Sequence, residues 1–138
     1  MKDELRKWNE LIKRQDGFYH RSAKGCSLAD AQFWVLYALC EKSGSLCQNS
    51  FCENWSYSKQ TVNTAVARLE KSGLVRLSFS EGSRKKKDIF LTPAGEKFCL
   101  IHIRPLQEKE ERAMCSLAPE ERKEFLRLYE KLLTALET

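Results

Sequence analysis

Basic residues are concentrated in one stretch of the sequence, between positions 59 and 87. This stretch holds eight lysines and arginines and two glutamates, a net charge of +6, so the remaining residues carry −1 of the chain's total of +5. Like charges held close together repel one another, and folding gives no reason for such an excess. The clustering therefore predicts that an anionic partner binds there. The basic residues of this stretch are Lys59, Arg68, Lys71, Arg76, Arg84, Lys85, Lys86 and Lys87.

The same stretch contains side chains that could read nucleic-acid bases. Gln and Asn can pair with adenine, Thr and Ala can contact the methyl group of thymine, and Lys and Arg can reach guanine or phosphate. On a helical wheel, the residues opposite the apolar stripe or at its flanks are Lys59, Gln60, Asn63, Thr64, Ala67, Arg68 and Lys71. A solvated helix more often alternates Glu with Lys, and a single carboxylate, Glu70, occurs here. The pattern favours double-stranded DNA as partner, with an ordinary solvated face as the alternative.

The six cysteines are the other residues with potential chemistry, at positions 26, 40, 47, 52, 99 and 115. They form no C-x-x-C pair, and only His20 and His102 could assist them, so we expect no metal and no other cofactor. The N-terminal residues lack the pattern of a secretory signal, which predicts reduced thiols and a cytoplasmic location. Small buried hydrophobic residues are the expected role of most of them, and a redox-sensing thiol is the alternative.

Length and composition exclude several classes of protein. With 138 residues, 42% apolar and 31% charged, the chain fits one globular domain and differs from a disordered tail. No apolar run approaches the roughly 20 residues of a membrane-spanning helix, so we expect no membrane partner. A nucleophilic Cys–His pair would make the protein an enzyme, but no local motif supports one, and we expect no catalytic residues.

Hydrophobic periodicity predicts two helices at the N-terminal end. The first covers about the first twenty residues, and Ser27 is expected to cap a second that runs to about Lys42. The second helix is apolar nearly all round, which predicts a central position in the core. Phe33 and Tyr37 lie on one of its apolar sides, either as core residues or as the border of a cavity for a small aromatic ligand.

A helix-turn-helix is predicted next. Residues 48–55 fit a short helix, and Ser56-Tyr57 fit a tight turn. Ser58 is a favoured N-cap for the helix that follows. We expect this helix to end at Gly73, because glycine readily adopts the left-handed conformation that commonly ends a helix.

The hydrophobic period then changes from 3.6 to 2, which predicts a β-hairpin. Its strands are expected at residues 75–80 and 88–92. The tip carries four successive cations, Arg84, Lys85, Lys86 and Lys87. These cations either discourage aggregation at the hairpin edge or contact the phosphates and minor groove of DNA as a wing.

The C-terminal part reads as helical again. Thr92-Pro93 suit an N-cap and first position, Pro105 predicts an interruption near residues 101–105, and Pro119 opens a last helix. The first and last helices are more apolar than a winged helix requires, so they pack either against a second copy of the chain or back onto the same copy. The fold class is mainly α with a small β-hairpin wing (α+β).

The order of these elements resembles the MarR (multiple-antibiotic-resistance regulator) family of bacterial transcription factors, from about Leu5 to Leu136. The resemblance implies a single domain with a winged-helix core at 27–95 and dimerisation helices at 1–26 and 96–138. It also implies a homodimer that binds a palindromic operator and is often released by a small organic ligand. The residues that carry the resemblance are Ser58-Lys59-Gln60-Thr61-Val62-Asn63, Val66-Ala67-Arg68-Leu69-Glu70-Lys71-Ser72-Gly73-Leu74-Val75 and Leu91-Thr92-Pro93-Ala94-Gly95.

Carried over residue by residue, the resemblance assigns DNA recognition to Ser58, Lys59, Gln60, Asn63, Thr64 and Arg68, to which the charge pattern adds Lys71 and the tip cations. The family's Asp-x-Arg in the wing falls on Ser83-Arg84-Lys85, so its aspartate is missing and we expect diffuse phosphate contact instead. We hypothesise a repressor in the bacterial cytoplasm, at the nucleoid when bound. A winged-helix protein-interaction module and a thiol-based redox-responsive regulator are the alternatives.

Overall fold

The computed structural model describes residues 1–41, 44–79 and 87–138, and it confirms the mainly α fold with a small wing. The helices are α1 Lys2–Gly25, α2 Asp30–Glu41, α3 Gln48–Trp55, α4 Lys59–Lys71, α5 Pro93–Phe98, α6 Arg104–Cys115 and α7 Pro119–Glu137, with a π-helical turn at Cys99–Ile103. The strands are β1 Ser45–Cys47, β2 Val75–Phe79 and β3 Lys87–Leu91. These elements form two compact units, Met1–Ile103 and Arg104–Thr138.

Helix α2 is the centre of the first unit, as its all-round apolar sequence predicted. It packs against α1, α4, β1 and the π-helical turn. Because neighbours cover it on several sides, most of its apolar side chains are buried. The buried residues of α2 are Phe33, Val35, Leu36, Ala38 and Leu39.

The prediction that Ser27 caps α2 is wrong. The backbone N–H of Ser27 donates to the carbonyl of Lys24 at 3.0 Å, and its φ of +59° places it in the left-handed region. Ser27 therefore belongs to the turn that ends α1, which extends to Gly25. Helix α2 begins at Asp30, where Gln32 accepts the backbone N–H of Ala29 at 2.8 Å. Gln32, three residues after Ala29, thus satisfies a backbone N–H at the start of α2 as the N3 residue of a capping box does.

The predicted hairpin is confirmed, and it forms part of a three-stranded antiparallel sheet in the order β1-β3-β2. Val75 lies opposite Leu91 and Leu77 opposite Ile89 across the β2–β3 pair. On the other side of β3, Leu46 lies opposite Ile89, which is fully buried. Strand β1 was not predicted, since three residues are too few to show alternation.

A π-helical turn lies just before Pro105, where the sequence predicted an interruption. Proline lacks the N–H that an α-helix would use at this position, and it crowds the preceding turn. The wider π-helical turn over Cys99–Ile103 accompanies this break in the regular pattern. It buries Cys99 and Ile103 and leaves Leu100 and Ile101 exposed.

In the second unit, α7 begins at Pro119, as predicted. The Glu121 side chain accepts the backbone N–H of Ala118 at 2.8 Å, which stabilises the first turn. The apolar side of α7 is between 39% and 60% exposed at Phe125, Tyr129, Leu132, Leu133 and Leu136. In the described ranges, no helix combines the length and apolar character needed to cross a membrane.

Candidate nucleic-acid interface

Helix α4 is held by a cap at its start and by an apolar stripe on one side. The Ser58 hydroxyl accepts the backbone N–H of Thr61 at 3.1 Å, which confirms the predicted N-cap. Ser56, with φ of +55°, forms the tight turn between α3 and α4. The stripe packs against α2 and α3, so the opposite face points to solvent. Its members, Val62, Ala65, Val66 and Leu69, are at most 4% exposed.

All the predicted recognition side chains of α4 are exposed. They are Ser58, Lys59, Gln60, Asn63, Thr64, Arg68 and Lys71. In the part of the chain that the structure describes, the ion pairs involve other residues, and none joins Lys59, Arg68 or Lys71 to a carboxylate. These three positive charges are therefore available to an anion from outside. The face offers amide and hydroxyl groups between cations.

Among the predicted base-reading residues of α4, Asn63 has a side-chain partner from another helix. The Nε2 of Gln48, the first residue of α3, donates to the Oδ1 of Asn63. Gln48 is only 6% exposed. Sequence reasoning missed Gln48, because no periodicity relates residues fifteen positions apart on two different helices.

Hydrogen bonds from Thr92 join the end of α4 to the start of α5. Its hydroxyl donates to the Gly73 carbonyl at 2.5 Å and accepts the backbone N–H of Gly95 at 3.0 Å. Its backbone N–H donates to the Leu74 carbonyl at 3.1 Å. Since Thr92 directly follows β3, these bonds also fix the base of the hairpin against the end of α4. The predicted cap roles of Thr92 and Gly73 are confirmed.

Of the four cations predicted at the wing tip, Lys87 lies within the described residues. Lys87 pairs with Phe79 as the first residue of β3. Arg84, Lys85 and Lys86 lie outside the described residues. One further cation sits on the hairpin, where the guanidinium of Arg76 lies 4.4 Å from the centroid of the Phe90 ring. This cation–π contact holds an exposed positive charge on the hairpin.

The two candidate ligand-binding residues belong to an aromatic cluster that joins α1, α2 and α3. Phe33 is 1% exposed and is a core residue, whereas Tyr37 is half-buried. The Tyr37 ring lies 5.2 Å from Trp34 and 6.3 Å from Trp55. The ring centroids of Trp34 and Trp55 are 4.7 Å apart. Contact of a ligand with these rings stays a prediction.

The cysteines differ in environment. Cys52 and Cys99 are buried, Cys26, Cys40 and Cys47 are half-buried, and Cys115 is exposed. The expected role as a buried hydrophobic residue therefore applies fully to only two of the six. Burial raises the pKa of the Cys26 and Cys52 thiols, and a hydrogen bond with Cys40 raises that of Cys99. By contrast, the pKa of Cys47 is lowered because the backbone N–H of Ser50, at the start of α3, favours its thiolate.

Two helices joined by a tight turn and followed by a β-hairpin define a winged helix-turn-helix protein. The MarR family model matches residues 27–86, which include α2, α3 and α4. The transcriptional regulator HosA of Escherichia coli O111:H- is 29% identical over 108 residues, which are 78% of this chain and 79% of HosA. The chain is therefore similar to transcriptional regulators of the MarR family, the family that its motifs predicted.

Solved structures share the fold over nearly the whole chain. NMB1585, a MarR family regulator from Neisseria meningitidis, matches with a TM-score of 0.80 at 23% identity, covering 97% of this chain and 94% of its own. A putative MarR family regulator from Listeria monocytogenes, complexed with 26mer DNA, matches with a TM-score of 0.74 at 23% identity. The match covers 96% of this chain and 87% of the Listeria chain.

Proposed function

We propose that this protein is a sequence-specific regulator of transcription that binds double-stranded DNA through the exposed face of α4. The observation that carries the proposal is the composition of that face, on which amides and a hydroxyl lie between cations that have no carboxylate partner in the described ranges. A helix of this width fits the major groove of B-DNA. The Listeria relative with the same fold is complexed with DNA, which supports the proposal.

The side chains of this face divide into two roles. Gln60, Asn63, Thr64 and Arg68 carry the groups that distinguish base edges, so we assign them to sequence recognition. Lys59, Lys71 and the hairpin cations are point charges suited to phosphate, so we assign them to affinity and to the register of the protein on DNA. Ser58 serves first as the cap that fixes the start of the recognition helix.

We also propose that the protein acts as a homodimer on a palindromic operator and represses transcription there. The exposed apolar side of α7 supports the dimer, because water contact with so many large apolar side chains is unfavourable. Replacing Leu132 by glutamate should convert dimer to monomer in sedimentation velocity. Lys131→Glu introduces the same carboxylate on the neighbouring exposed residue and should leave the dimer intact. A monomeric wild type would contradict the dimer.

A small aromatic ligand is proposed to weaken operator binding. The half-buried rings around Tyr37 offer flat apolar surfaces with polar edges, the chemistry that holds such molecules. A ligand changes operator affinity only if it binds the DNA-competent and incompetent conformations with different affinities. Titration of substituted benzoic acids into the operator complex should identify compounds that lower its affinity. Compounds that bind the protein yet leave operator affinity unchanged would contradict this part.

Selection of bound sequences from random duplexes tests the central proposal. We expect enrichment of an inverted repeat whose half-site centres lie about 34 Å, or one helical turn, apart. Binding at several salt concentrations should show affinity falling steeply as salt rises, because phosphate-bound cations release counterions. Failure to retain any duplex at low salt would overturn the proposal, and retention without sequence enrichment would reduce it to non-specific binding.

A further inference from the structure

The contact between Gln48 and Asn63 connects a buried side chain with the exposed face of α4. Gln48 Nε2 donates to Asn63 Oδ1, and Gln48 is 6% exposed. The other amide atom of Gln48, Oε1, is buried and has no hydrogen-bond partner among residues 1–41, 44–79 and 87–138. Gln48, at the start of α3, therefore contacts one of the proposed base-reading side chains of α4.

We propose that Gln48 is a positioning residue that sets which base edge Asn63 recognises, an inference that rests on the proposed function. An asparagine amide can turn either its oxygen or its amino group outward. The hydrogen bond from Gln48 holds the oxygen toward α3 and so presents the amino group to the groove. An outward donor complements the acceptors N7 and O6 of guanine, N7 of adenine and O4 of thymine, and it opposes the amino group of cytosine.

The unpaired Oε1 atom separates this role from a purely structural one. A buried amide oxygen without a partner lowers stability, because it loses its hydrogen bonds to water. An apolar side chain of similar size would fill the same space without that loss. If Gln48 served stability through its bond to Asn63, Gln48→Met would lower the melting temperature. The positioning role predicts an unchanged or raised melting temperature together with altered base preference.

The experiment compares Gln48→Met with Asn49→Met, which makes the same change at the next, exposed residue of α3. Dissociation constants are measured on the selected operator and on duplexes carrying each other base pair at the position where Asn63→Ala loses discrimination. Gln48→Met should reduce the ratio between the best and worst base at that position about fivefold or more. Other positions, and the Asn49→Met protein, should keep wild-type preferences.

A second variant, Gln48→Glu, replaces the donor by acceptors alone. Asn63 must then turn its amino group inward and its oxygen outward, so the preference should move toward a base that offers an amino group, adenine or cytosine. If Gln48→Glu does not fold, Gln48→Met still decides the question. Loss at all positions with a lowered melting temperature, or unchanged discrimination in Gln48→Met, would overturn the inference. If wild type binds no duplex at all, the proposed function itself has failed and the inference falls with it.

Discussion

The Thr92 hydroxyl lies 2.5 Å from the Gly73 carbonyl and donates a hydrogen bond to it, across 19 positions of the chain. The same oxygen caps α5 by accepting the Gly95 N–H. Thr92→Val keeps the shape of the side chain and removes both bonds. We expect it to lower the free energy of unfolding by about 1–2 kcal/mol in urea denaturation. Thr92→Ser retains the hydroxyl and should keep most of the stability, so equal losses in the two variants would contradict this explanation.

Two backbone segments approach each other so closely at Gly95 that the position has no room for a side chain. A Cβ at Gly95 would lie 1.9 Å from the Leu74 carbonyl oxygen, which cannot move away as a flexible side chain can. Gly95→Ala should therefore lower the free energy of unfolding by about 1–3 kcal/mol or more, measured by thermal denaturation. Gly25→Ala is the matched control, because a Cβ there meets nothing within 4 Å. Gly25→Ala should be neutral or stabilising by up to about 1 kcal/mol. The explanation is contradicted if Gly95→Ala is as stable as Gly25→Ala or more stable.

Readers and phosphate contacts on α4 should respond differently to mutation. Gln60→Ala should cost about 1–3 kcal/mol on the cognate operator and relax preference at one base pair. Lys71→Ala should weaken binding to all sequences alike and reduce the slope of log affinity against log salt by about one unit. Fluorescence anisotropy at four salt concentrations, on cognate and scrambled duplexes, measures both effects. A uniform loss in both variants would show that the two roles are wrongly assigned.

The thiols of Cys47 and Cys26 should differ in reactivity although both are half-buried. The thiolate is the reactive form, so alkylation accelerates as pH rises through the pKa. The pKa of Cys47 is lowered by the Ser50 backbone N–H, and that of Cys26 is raised by burial. Iodoacetamide labelling followed by peptide mass spectrometry should give a half-maximal rate at lower pH for Cys47. The reverse order would show that the start of α3 does not favour the Cys47 thiolate.

Features encoded within a few consecutive residues were predictable from the sequence. The caps at Ser58 and Thr92 and the turn at Gly73 follow from the side chain or backbone freedom of one residue, and the structure confirms each. The sequence therefore located both ends of α4 and the start of α5.

Features that depend on distant partners were not predictable. Ser27 has the side chain of a cap, but its backbone completes the turn after α1, so sequence alone misplaced the start of α2. Strand β1 exists because β3 lies beside it. The partner of Asn63 comes from another helix, and neither composition nor periodicity specifies such a contact. The tip cations Arg84, Lys85 and Lys86 remain sequence-based predictions.

Trp34 and Trp55, 4.7 Å apart, link α2 with the end of α3. The emission of closely spaced indoles depends on their separation and tilt, so this pair is an optical probe that needs no label. A shift of α3 relative to α2, whether caused by a small molecule or by DNA, should change the fluorescence of the unmodified protein. Trp8, the third tryptophan, lies in α1 and can be replaced by phenylalanine to remove its background.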